Sequence, residues 1–482
     1  MRVNSIHYRR AILFPALALA LFLSCPGSAP AAPAASPGAA TRAVLAGPAT
    51  TLKETVALSL AYSPNVKSFQ EYRQAAEHDV QRARSGWFPS VDARAGWGVD
   101  QWSGTTSRAN EHAGRSSNTT RDYYSRSEAS LTVVQTIWDG LATLNRVRMG
   151  KSRLDSAENR LYDNAEGIGL DAVLAHIEVY RQRRIVALAE LNVKNHRSIL
   201  ASQFERHKSG ASTLADVTQT QSRLARTEAS LTESRAALDA AVTSYQQATG
   251  RDPGQVAAPT APVDAYPSLE AALMSTRTGN LKIRASESDI KTAYSQADLD
   301  KSAFHPTITL EAGPTYSYRV QDAMTDSGGM SIMLRANWNL FNGGYDYYNV
   351  RGDLGRARQA KQELEGLKDQ LAAETQNTWT DYLSAQEQAR HFANAVDYST
   401  KTRNMYLEQF NVGQRSLLDV LDSENELFSY SIQLVTAQLN VIAAQYRMLT
   451  LGGNLLADMG INRQELNIAV DVTGPDRPNI RR

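Results

Sequence analysis

Residues 410–422 read Phe410-Asn411-Val412-Gly413-Gln414-Arg415-Ser416-Leu417-Leu418-Asp419-Val420-Leu421-Asp422. Gly413 stands where a helix would end on a left-handed residue. Ser416 stands where the next helix would be N-capped, and Asp419 follows at capping-box spacing. The same punctuation occurs 203 residues earlier, in Gly210-Ala211-Ser212-Thr213-Leu214-Ala215-Asp216-Val217. Each stretch therefore reads as the turn of a helical hairpin. Working outward, Ile137-Trp138-Asp139-Gly140 recurs as Leu340-Phe341-Asn342-Gly343 at that same offset. Trp87-Phe88-Pro89-Ser90-Val91 recurs as Phe304-His305-Pro306-Thr307-Ile308 at an offset of 217. Three matches in one order mark a duplicated domain, with a longer loop in the first half.

Each copy reads helix, strand, loop, strand, very long helix, turn, long helix. Residues 52–86 and 268–303 carry apolar positions at spacings of three and four (Val56, Leu60; Leu269, Leu273), the period of a helix that Pro89 and Pro306 stop. The period then changes to two. Val91, Ala93, Ala95, Trp97 and Val99 alternate with polar or small residues. So do Leu131, Val133 and Ile137 in 129–138, Ile308, Leu310, Ala312 and Tyr316 in 308–318, and Ile332, Leu334 and Trp338 in 330–340. Strands of about ten residues suit a tilted crossing of a bilayer. The loops at about 101–126 and 319–329 are rich in polar residues and read as solvated. Proline-free runs follow, Leu141 to Ser209 and Tyr345 to Val412. Leu154, Leu161 and Ile168 in the first, and Leu364 and Leu371 in the second, stand at heptad spacing. Sixty-eight residues at 1.5 Å each give helices roughly 100 Å long.

Composition closes off other classes. In 482 residues, 51 Lys+Arg balance 50 Asp+Glu, so the basic excess of a nucleic-acid binder is missing. Apolar residues are 42%, and no repeated apolar runs of roughly 20 residues mark a helical membrane protein. One cysteine, Cys25, leaves no disulfide framework or thiolate zinc site. The eight histidines show no metal spacing, and neither a nucleophile elbow nor a P-loop occurs, so no enzyme, cofactor or metal site is expected. Arg2, Arg9 and Arg10 precede the apolar run Ala11 to Ser24 and a small-residue zone, the pattern of an export signal. Cys25 as an acylated N-terminus is the alternative, set against a poor lipobox at Phe22-Leu23-Ser24. The expected organisation is a signal peptide at 1–31 and a Pro/Ala-rich linker at 32–50. The first repeat spans 51–250 with its β-hairpin at about 90–138, and a linker covers 251–267. The second repeat spans 268–455 with its hairpin at about 307–341, and a polar tail covers 456–482.

Four strands cannot close a barrel, and open edges are not tolerated in lipid. Exported membrane strands therefore demand several copies, and three give twelve strands. The outward face would be Val91, Trp97, Leu131, Ile137, Leu310, Tyr316, Leu334 and Trp338, with the long helices continuing as a tube. The competing reading is a soluble periplasmic coiled-coil structural or adhesive protein with an ordinary half-wet sheet. At the turns, Asp216 and Asp419 are explained as helix-start acids. Asp422 is not, because the first copy has Gln219 there. Asp419 and Asp422 share one helix face, so converging copies would build a ring of carboxylates that favours cations. Arg415, present only in the second turn, is a candidate to pair with an acid or carbonyl of a neighbouring helix.

These residues resemble the TolC family of outer-membrane efflux and type I secretion channels. The likeness rests on Gly210 to Val217, Phe410 to Asp422, Leu340-Phe341-Asn342-Gly343-Gly344 and the two proline-led strand starts, and it covers about residues 51–455. It implies a mixed α and β fold: a homotrimer with a twelve-stranded barrel in the outer membrane and an α-helical coiled-coil tunnel in the periplasm. It implies a tip closed by inter-helix links, with paired aspartates at the aperture falling on Asp419 and Asp422 and the linking arginine on Arg415. Asp216 matches a link residue whose partner is often a tyrosine. Here that place is Phe410, which has no hydroxyl, so Arg415 would carry more of the closure. The implied partners are a periplasmic adaptor and an inner-membrane ABC or RND pump. The exported cargo stays open.

Overall fold

The computed structural model describes residues 49–104, 120–263, 266–318 and 326–467. The expected export signal with Cys25, most of the Pro/Ala-rich segment, parts of both hairpin loops and the end of the tail lie outside the described residues.

The chain starts at α1 (Leu52–Tyr62), closed by a capping box. The Thr51 amide donates to Glu54 Oε2 at 2.9 Å, and the Glu54 amide donates to Thr51 Oγ1 at 3.3 Å. The single helix expected over 52–86 is two. Ser63 ends α1 and caps α2 (Pro64–Arg84), whose first residue is a proline that lacks an amide to donate. The second copy breaks at the matching place. Asn280 separates α5 (Leu269–Gly279) from α6 (Leu281–Asp300) and accepts the Lys282 amide at 2.9 Å. Three-residue and four-residue 3₁₀ turns then lead each copy into its strands.

The strands are β1 (Ser90–Gly104), β2 (Thr120–Trp138), β3 (Thr307–Tyr318) and β4 (Asp326–Asn337), one antiparallel sheet in the order β1-β2-β3-β4. They are longer than the ten residues expected, because pairing runs on into the segments read as loops. Register places Val91 opposite Val133, Val133 opposite Ala312, and Ala312 opposite Ile332. Leu310 faces Leu334 and Ala129 faces Tyr316, so one apolar face runs across all four strands. The other face carries charge, with Arg335 donating to Glu311 at 3.1 Å and Arg126 to Glu128 at 2.8 Å. Two details correct the sequence reading. A bulge skips Ile137, so Trp138 pairs with Ile308 and takes the apolar face that strict alternation gave to Ile137. Trp338 lies beyond β4, its indole donating to the Phe304 carbonyl at 3.2 Å. Pro314 interrupts the β2–β3 ladder, and a Cβ on neighbouring Gly313 would run into the Leu131 carbonyl.

Each strand pair feeds a giant helix: α3 (Ala142–Lys208) and α7 (Tyr345–Asn411), 67 residues each. They turn back as α4 (Leu214–Thr249) and α8 (Leu417–Leu451). Helix α3 packs on α4 and α8, and α7 on α8. Helix α6 lies between α3 and α7, whereas its counterpart α2 packs on α3. The main core gathers Val56, Leu161, Val173, Ile177, Leu439, Tyr446 and Leu449 from α1, α3 and α8. Helix α8 is long and apolar enough to span a bilayer by length and composition. It lies instead along α7 and α3, with Ala443, Tyr446 and Leu449 in this core.

The expected linker and tail are partly structured. Thr50 bridges Val256 in parallel, and the Tyr446 hydroxyl donates to the Thr260 carbonyl at 3.1 Å. The short α9 (Leu455–Asp458) is anchored by buried Glu166. That carboxylate accepts the Leu455 and Leu456 amides at 3.0 and 3.3 Å and pairs with Arg463 at 2.8 Å. Residues 456–467 therefore do not read as a free tail.

Candidate functional site at the hairpin turns

The two turns lie at the far ends of α3 and α7, about 100 Å from the strands at 1.5 Å per residue. Gly210 and Gly413 close the helices at φ +74° and +82°. The Ala211 amide donates to the Arg206 carbonyl and the Gln414 amide to that of Gln409, both at 2.8 Å, the six-to-one bond of a glycine-ended helix. Thr213 Oγ1 accepts the Asp216 amide at 3.2 Å, and Ser416 Oγ accepts the Asp419 amide at 3.2 Å. Gly210 and Gly413 thus end α3 and α7, and Thr213 and Ser416 cap α4 and α8.

The two aspartates then differ. Asp216 Oδ2 accepts from the Thr213 amide at 3.1 Å, the Thr213 hydroxyl at 2.8 Å and the Ser212 hydroxyl at 3.2 Å. The hydroxyl and amide of Thr213 hold its carboxyl below the usual carboxylate range. Every one of those bonds falls on Oδ2, so Oδ1 is left for another partner. Asp419 makes no return bond to its cap. Its carboxylate lies 3.7 Å from Arg415 Nη1. The Arg415 guanidinium stacks 4.0 Å from the Tyr406 ring centroid, and its Nε is buried without an acceptor.

Asp422 is exposed and pairs with Arg223 of α4, Nη2 to Oδ1 at 3.3 Å. Phe410 is buried with Ile199, Leu417, Val420 and Leu421. Arg206 of α3 lies 4.4 Å over its ring and donates to the Phe410 and Asn411 carbonyls at 3.0 and 3.1 Å. About two turns into α8, buried Glu424 accepts from Arg403 of α7 at 3.2 Å and from Asn195 of α3 at 3.3 Å. Asp419 is thus brought to Arg415 and Asp422 to Arg223, Phe410 packs in the core beside the start of α8, and Asp216 keeps to its own turn. Arg206, Arg223 and the Arg403–Glu424 pair were not legible in the sequence. Each is a lone charge whose partner comes from another helix, for Arg206 some 204 residues away. The cluster can fasten helices to one another and present carboxylates. A separate cavity of 1060 Å³ lies higher up the hairpins, lined by Asp171, Arg181, Asp381 and Arg447.

A family model described as outer membrane efflux protein matches residues 55–251 and 272–454, one segment in each repeat. The chain belongs to this family. The outer membrane efflux protein BepC of Brucella suis is 25% identical over 338 residues, 70% of this chain and 74% of that protein. The outer membrane protein TolC of Vibrio cholerae is 23% identical over 398 residues, 79% and 85% of the two chains. The Campylobacter jejuni CmeC outer membrane channel has the same fold, with a TM-score of 0.73 at 14% identity over 87% of this chain and 90% of that one. As an outer membrane efflux protein the chain is a channel and not an enzyme. It lies in the outer membrane, with barrel strands and a helical tunnel that extends into the periplasm. Family members are homotrimers that work with adaptor and pump partners.

Proposed function

We propose that three copies of this chain wall one conduit, which carries cargo passively from a periplasmic adaptor and an inner-membrane ABC or RND pump to the outside. The observation that carries this is the sheet. It ends on β1 and β4, whose outer edges find no partner within the described residues of the chain. Unpaired backbone is too costly to leave in hydrocarbon, so β1 of one copy closes on β4 of the next. The apolar face of Val91, Leu131, Leu310 and Leu334 then meets lipid, and the face of Glu311 and Arg335 lines the lumen. Helix packing supports the same closure, because α6 has helices on both sides and α2 is left to take the α7 of a neighbour.

In this reading the hairpin turns are the periplasmic aperture. Asp419 and Asp422 supply six carboxylates to its rim. Arg415, tied to its own chain by one long ion pair and a stacking contact, is the latch. Its natural acceptor is Asp216 Oδ1 of the adjacent copy, and Phe410 serves as the packed base of the latch in place of a hydroxyl donor. Purified protein in planar bilayers tests the assignment. Asp419→Ala combined with Asp422→Ala should lower the K⁺ over Cl⁻ permeability ratio, since carboxylate rings favour cations. An unaltered ratio would remove the two aspartates from the rim.

A further inference from the structure

The aperture acids do not stand alone. Asp422 lies 3.3 Å from Arg223, which reaches it from the other hairpin of the same chain. Asp419 lies 3.7 Å from Arg415. Each copy therefore brings two carboxylates and two guanidinium groups to one end of the bundle, and their formal charges cancel. The pair made by Arg223 is the closer, and its arginine is the better shielded, with side-chain exposures of 33% for Arg223 and 64% for Asp422. The duplicated position does not demand an arginine. Arg223 corresponds to Glu426 in the second copy, just as Asp422 corresponds to Gln219 in the first. The acid and its counter-charge thus occur in opposite halves and meet only in the folded chain.

We propose that Arg223 is a selectivity-determining residue of the channel. It neutralises Asp422 at the closed aperture and sets how strongly the rim prefers cations. This rests on the placement of Asp419 and Asp422 at the rim. A ring of carboxylates with their partners removed draws cations and repels anions, whereas paired acids leave only a weak local field. The arginine also joins α4 to α8, so a conformational change that parts these helices breaks the pair and uncovers one carboxylate per copy.

The test is the zero-current potential of single channels in a KCl gradient, for trimers extracted from outer membrane. Arg223→Gln should raise the K⁺ over Cl⁻ permeability ratio by about twofold or more. Arg223→Lys, which keeps the charge, should stay near wild type. Arg223→Gln with Asp422→Asn should return the ratio toward wild type, because acid and counter-charge leave together. A role limited to tying helices would alter conductance and leave the ratio alone. If Arg223→Gln leaves the ratio unchanged while Asp419→Asn with Asp422→Asn lowers it, the inference fails and the rim assignment stands. If neither variant moves the ratio, both fail.

Discussion

Asp216 and Asp419 hold equivalent places in the two repeats, yet one carboxylate is spent on its own turn and the other is turned outward. The cause is one position, just before the N-cap. In the first turn it is Ser212, whose hydroxyl donates to Asp216 at 3.2 Å. In the second it is Arg415, which draws Asp419 away from the cap. Arg415→Ser should let Asp419 close a capping box like that of Asp216 and should loosen the tip. Single-channel conductance is expected to rise, and a wild-type value would count against the latch. A second residue-scale prediction concerns Glu166. Burial pushes its carboxyl up to about 7, against the pull of Arg463 and two amides. The folded chain then keeps a proton that the unfolded chain releases above about pH 4.5. Stability should fall as pH rises from about 4.5 to 7, by at most a few kcal/mol per copy. Thermal unfolding at pH 5 and pH 7.5 should show this loss in wild type and a smaller one in Glu166→Gln. Equal losses in the two would refute the assignment.

Among the elements, what could be read in advance was what is written locally. Glycine ends, hydroxyl caps and proline-free heptads gave both 67-residue helices and both turns. The breaks at Ser63 and Asn280 were also local, a Ser-Pro step and a capping asparagine, but apolar spacing running through them hid them. The bulge at Ile137 was not local, because it exists only in the pairing of β2 with β3, and so period-two counting did not place Trp138 opposite Ile308 on the apolar face. The same limit explains Arg206 and Arg223, whose partners lie on other helices. A prediction follows at this scale. The Thr213 box closes in both directions, whereas Ser416 only accepts. Thr213→Ala should cost about 1 kcal/mol at the start of α4, and Ser416→Ala less at the start of α8. Amide hydrogen exchange over the first turn of each helix measures this. A larger effect at Ser416 would contradict it.

For the molecule as a whole, the duplication leaves two things unfinished at the same boundary. Among the described residues, β1 and β4 have no partner on their outer edges, and α2 packs mainly on α3 whereas α6 packs on both α3 and α7. In the proposed assembly both deficits are met by a further copy placed beside the first, and three copies bring the strands to twelve. In the proposed trimer, barrel, tunnel and aperture follow from one operation, which also brings the charged tips of the copies together. The most direct measurement is the mass of the purified particle in detergent by light scattering, paired with insertion into liposomes. Three chain masses and channel activity are the predicted result. A folded single chain, stable in buffer without detergent and inert toward liposomes, would contradict the account.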